Sequence, residues 1–322
     1  MNLYDPFIER DLAAIPAAVA GYRANHTAEQ TWTEVTRFAV LAFAPSQHAK
    51  HALLACLSTW DLRDELGAGF DDAIAACAVY AAASRQPWSE PPMLDPPRIG
   101  DDQRGDLVEL REAIATSDRL RAERWLAKRF RDDDFNADFF VAASDDFGDL
   151  GHKLIIANAA VRLAGLLGDK GRYAMLRVGI FEMVSLGSGE PARGGGSEAL
   201  DLESLCAGLL STVVASGGEV ISAHSLFLFD AALQTEDDGV ISRVAEHLSD
   251  LRKDPGSASA PHSRIATPGA YAFARDYGSC LQAHAVAKRL RPRFPSGDFD
   301  GMLAAVHRNL ETAPSLEGMT FA

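Results

Sequence analysis

Lysine is scarce in this chain: six lysines stand against twenty-five arginines among 322 residues. No run of basic residues is long enough to follow a phosphate backbone, and the formal charge is −14, so nucleic acid and anionic membrane surfaces are poor partners. Apolar runs are short as well. None reaches the ~18–20 residues of a membrane span, and residues 1–10 carry Asp5 and Glu9 in place of a basic, apolar leader, which predicts a cytoplasmic protein. The four cysteines, Cys56, Cys77, Cys206 and Cys280, are scattered among aliphatic neighbours with no CxxC, a pattern of buried free thiols.

Several catalytic signatures are absent too. Without a Glu-x-x-His the chain lacks the paired elements of a carboxylate-bridged di-iron bundle, and without His-Glu-x-x-His it lacks a zincin motif. There is no adjacent His-Asp pair, no Gly-x-Gly-x-x-Gly for a dinucleotide and no Gly-x-Ser-x-Gly elbow. The acidic stretch from Asp132 to Asp149 lacks EF-hand spacing and reads as helix caps and solvated surface.

What is present is helical periodicity. Ala-, Leu- and Arg-rich segments repeat apolar residues at i, i+3 and i+4, no alternating stretch interrupts them, and the fold class is all-α, a large multi-helix bundle. Proline- and glycine-rich stretches at Gln86–Asp102, Gly187–Ser197 and Asp254–Gly269 divide one expected domain, 1–322, into helical blocks 1–86, 103–186, 198–253 and 270–322. Helices are expected from Pro45-Ser46 to about Arg63, after Gly148–Gly151 to about Leu167, from Glu219 to about Leu233, and from near Gly278 to before Pro292.

Each block contributes one histidine in an aliphatic helix: His51, His152, His224 and His284. His152 shares its face with Ile155, Ile156, Ala159 and Leu163, and His224 with Val220, Ile221, Phe227, Leu228 and Ala231, so both rings should point inward. His51 and His284 have fewer apolar neighbours. A lone core histidine is usually structural, but four at equivalent places in four helices suit a metal such as iron or zinc better than packing, which leucine would serve. His48, one turn before His51, is an alternative ligand or a neighbour of it. His26, His247 and His262 lie on polar or mixed surroundings, and His307 reads as a satisfied core histidine.

Lys50, Lys153 and Lys288 all fall near these histidines. Lys288 lies at i+4 from His284 and shares its face, whereas Lys50 and Lys153 are rotated about 100° from theirs. As a ligand Lys288 must be neutral or carboxylated by carbon dioxide to a carbamate. Its other role is to complement a helix C-terminus together with Arg289 and Arg291.

The strings around His51, His152, His224 and His284, with Gly148-Asp-Leu-Gly-His152 foremost, resemble the questin oxidase-like family over about residues 25–290. That resemblance implies an oxidoreductase: a non-heme iron oxygenase holding one iron with the four histidines and a carboxylated lysine, Lys288 before Lys153 or Lys50. It implies dioxygen and a small aromatic, phenolic or polyketide-like ketone as substrates, with oxidative ring cleavage. The rival expectations are a metal-free Baeyer-Villiger-type oxidase of the same family and a non-catalytic α-helical scaffold. No 34- to 47-residue repeat supports the scaffold.

Overall fold

The computed structural model describes residues 3–42, 49–84, 96, 105–185, 201–218, 220–253 and 269–311. Among these residues every regular element is a helix. The chain opens with α1 (Asp5–Glu9), α2 (Ile15–Arg23), α3 (Ala28–Ala42), α4 (Ala49–Asp61), the short α5 (Arg63–Leu66) and α6 (Phe70–Ser84). A second group holds α7 (Leu107–Ala115), α8 (Arg119–Arg129), α9 (Phe135–Ala143), α10 (His152–Leu167) and α11 (Asp169–Ser185). The last are α12 (Leu202–Ala215), α13 (Val220–Gln234), α14 (Asp238–Lys253), α15 (Gly269–Leu290) and α16 (Phe299–Glu311).

The helix starts follow local chemistry. Asp106, Asp118 and Asp201 each accept a backbone N–H three residues on, at 2.8, 3.1 and 3.0 Å, satisfying donors that the first turn leaves orphaned. Proline occupies the first turn of α1 and α2, where its missing N–H costs nothing.

One contiguous apolar cluster runs from Leu3 to Val306 and takes in residues of every long helix. Arg63–Ser84 is long and apolar enough to cross a membrane by length and composition, yet most of α6, from Phe70 to Ala82, is buried against α2, α3, α4 and α15. All four cysteines are buried and free. Burial raises the Cys206 thiol to about 11 and the Cys280 thiol to about 12, which keeps them unreactive.

Four helices form a ring. α4 packs on α10, α10 on α13, α13 on α15, and α15 back on α4. α15 begins at Gly269, well before the start expected near Gly278. Gly278 lies inside the helix because a Cβ there would meet Tyr80 at 3.1 Å and Ala55 at 3.2 Å. It is a point of close approach, not a helix start. The three breaker-rich stretches read from the sequence lie almost wholly outside the described residues, as do His48 and His262.

Candidate metal centre

His51, His152 and His224 meet at one end of this ring. Their ligand-capable nitrogens lie within 4.8 Å of one another. His152 and His224 are buried, at 3% and 4% exposure, and their Nε2 atoms stand 3.2 Å apart. The ring centroids are 4.8 Å apart for His152–His224, 5.2 Å for His51–His152 and 5.4 Å for His51–His224, all edge to face.

Local sequence sets these positions. Gly151, at φ 77°, is in the left-handed region, and it turns the chain into α10 so that His152 is the first helical residue. A Cβ on Gly151 would lie 2.6 Å from Leu228, one turn beyond His224. The missing side chain lets α10 approach α13, which brings the two imidazoles together.

Three residues after each histidine stand Leu54, Ile155 and Phe227, and these begin the lining of a cavity of about 40 Å³ inside the ring. α4, α10 and α13 all line it progressively toward their C-termini, ending at Asp61, Arg162 and Asp230 with Ala231, so the three helices run the same way along it. α15 supplies Gln282, Val286 and Arg289, which share one face at i, i+4 and i+7.

Charged residues close the far end. Arg289 donates to both oxygens of Asp230, at 2.7 Å from Nη2, and also to Asp61, while Arg162 donates to the second Asp61 oxygen at 2.6 Å. Beyond this partition an outer surface cavity of about 530 Å³ shares Asp61, Arg162 and Arg289 with the inner one and adds Trp60, Arg63, Gly165, Leu166 and Lys288.

Two of the five residues expected at the centre are placed elsewhere. His284 sits two residues from both Gln282 and Val286, about 200° around α15 from the cavity face, and turns toward α16. There its Nε2 lies 2.5 Å from Nε2 of His307, one imidazole donating and the other accepting. Burial chiefly, then the neighbouring His307 and Arg291, lower the His284 pKa to about 4. Lys288 shares the His284 face. It is exposed, with Nζ 2.6 Å from the Asp61 carbonyl and 2.8 Å from a Glu65 carboxylate oxygen. Among the described residues the structure brings neither Lys288 nor His284 together with His51, His152 and His224. His284 meets α16, and Lys288 lines the outer cavity beside Arg289 and Asp61.

The ion pairs beside the centre carry no mark in the sequence. Lys50, next to His51, is buried with Nζ 2.8 Å from Glu182 of α11, and Lys153, next to His152, is buried with Nζ 2.5 Å from Asp146. Asp146 belongs to the acidic stretch read as caps and surface. Its neighbours are paired too, Asp145 with Arg111 and Asp132, Asp134 and Asp138 with Arg129. Arg111 and Lys153 lie on other helices, and Arg129, at the end of α8, gathers three of these carboxylates within nine residues of itself.

The donor set fits a metal ion. Neutral imidazoles are ligands for iron, zinc or copper, and two nitrogens that each bind an ion at roughly 2.0–2.1 Å stand roughly 3.0–3.4 Å apart. The His152–His224 separation falls in that range. Three protein ligands leave a further coordination position open, as in catalytic sites. Set against known families, curated proteins and solved structures, the chain has no match, so its centre is read from its own geometry.

Proposed function

We propose that the chain is an oxidoreductase in which His51, His152 and His224 hold one non-heme iron, and that it oxygenates an aromatic phenolic or ketone substrate with cleavage of a carbon–carbon bond. The observation that carries the metal reading is the convergence of three imidazoles from three helices, each one turn before a residue that lines the inner cavity. Iron at this place would supply redox chemistry toward dioxygen.

The residues around it have definable tasks. Leu54, Ile155 and Phe227 put an apolar collar next to the histidines, which excludes bulk water and strengthens every electrostatic contact inside. Lys50–Glu182 and Lys153–Asp146 are buried pairs immediately beside two of the ligands, and they fix the start of α4 and α10 by charge-assisted bonds. The inner cavity has room for only a small group, whereas the outer one is larger and opens to the surface.

Metal analysis tests this directly. The protein should carry about one iron per chain after anaerobic loading and consume dioxygen with a phenolic ketone. Under a tenth of an equivalent would end the proposal, and a full equivalent of zinc with no oxygen uptake would move the function to hydrolytic chemistry.

A further inference from the structure

Between the apolar collar and the charged partition, three polar side chains line the inner cavity: Ser58 on α4, Asn158 on α10 and Gln282 on α15. Their exposures are 5%, 6% and 7%. Buried polar side chains are normally hydrogen-bonded, and leaving one unsatisfied is unfavourable. These three have no side-chain hydrogen bond to any described residue, although buried polar groups close by are saturated, Asp230 and Arg289 among them. They come from three different helices and meet at one cavity.

Leucine or methionine would fill such positions with no polar group left over, so packing does not account for them. None of their polar atoms is among the fully enclosed side-chain atoms that lack a partner, so these atoms open on the cavity, where water or a ligand takes up their hydrogen bonds. The cavity, about 40 Å³, has room for roughly three water-sized groups. Two carboxamides and a hydroxyl offer donors and acceptors side by side and carry no charge. The guanidiniums at the partition are already bonded to Asp61 and Asp230, so no cation is left over there for an anion.

We propose that Ser58, Asn158 and Gln282 form a binding site for a small neutral carbonyl group, an amide or ketone end of three or four non-hydrogen atoms, held one to two helical turns from the three histidines. This deepens the proposed function by naming the chemistry of the substrate's inner end. It rests on that function only in calling the ligand a substrate.

The test uses acetamide as probe and acetate as its charged counterpart, followed by saturation-transfer NMR on the full chain, metal-free and metal-loaded. Acetamide should bind with a Kd of about 1 mM, within what four non-hydrogen atoms can achieve, and acetate at least about tenfold more weakly. Gln282→Met and Asn158→Leu should each weaken acetamide by about tenfold or more. Each should also raise Tm by about 2 °C, because a polar group with no protein partner is removed. A purely structural role predicts the opposite sign in Tm.

Ser58→Ala, the smallest change, should weaken acetamide in the same direction and keeps the test readable if a larger substitution upsets folding. Equal or tighter binding of acetate, no saturable acetamide binding up to about 50 mM, or unchanged affinity in the variants would overturn the proposal. Metal content is measured on the same samples. A chain that binds acetamide but no metal keeps this site and loses the metal centre, and a chain that holds metal but ignores acetamide does the reverse.

Discussion

His152 and His224 bring their Nε2 atoms to 3.2 Å although 72 residues separate them in the chain. These two ring nitrogens are within hydrogen-bonding distance, and a metal ion bound by both would replace that contact. Replacing either histidine by alanine should therefore lower metal affinity by more than about 100-fold, beyond what the loss of a ligand's neighbour usually does. Far-UV circular dichroism should stay nearly unchanged. His284→Ala, which removes a ring facing α16, should keep full metal content. Loss of metal in that variant would restore the fourth ligand and refute the placement.

Gly151 is the position where backbone conformation and ligand geometry meet. Gly151→Ala adds a left-handed residue, at a cost of about 1–2 kcal/mol, and a methyl that pushes on Leu228. Urea denaturation should show that loss, and metal affinity should fall as α10 and α13 separate. Unchanged affinity would show that the two histidines are positioned without this close approach.

Acid should destabilise the fold partly through His284. Its pKa lies near 4 in the folded chain because burial, His307 and Arg291 oppose its charge, while the unfolded value is about 6.5. Stability from this group is complete above about pH 6.5 and declines as the pH falls toward 4, where both states are protonated. Because the ring is partly exposed, the total is on the order of 1–2 kcal/mol. His284→Gln should flatten that part of a stability-against-pH curve measured between pH 7.5 and 4.5. An identical slope in the variant would assign the acid sensitivity elsewhere.

Arg289 and its neighbour Lys288 should behave very differently. Arg289→Met leaves Asp61 and the buried Asp230 short of a cation, a change that typically costs about 3–5 kcal/mol. Lys288→Ala removes an exposed pair with Glu65 and should cost at most about 1 kcal/mol, with no loss of metal. Thermal melts and metal analysis of the two variants check both halves. Metal loss in Lys288→Ala would reinstate it as a ligand.

Helices were legible because apolar residues recur at i, i+3 and i+4, and α10 and α13 start within a residue of the places that Gly148–Gly151 and Gly217–Gly218 mark. Inward-facing His152 and His224 could be read from the same periodicity. His284 could not, because α15 is apolar on more than one side: Cys280, Leu281 and Ala287 are buried around it, as are Gln282 and Val286 on the cavity face. Periodicity says that a face is covered, not by which helix. The fate of Lys50 and Lys153 was hidden for a related reason. Each is completed by a carboxylate, Glu182 or Asp146, whose proximity depends on how helices and turns pack. Gln282, a polar residue in a helix with many, carries no sequence mark at all.

The three histidines come from helices in widely separated parts of the chain, and this orders events during folding. The three-histidine cluster does not exist until α4, α10 and α13 have closed on one another, so an ion held there would enter a folded chain and would not nucleate folding as it does in a zinc finger. A chelator should then empty the centre without melting the helices, and the stripped chain should take the ion back at a rate set by access to the cleft, not by refolding.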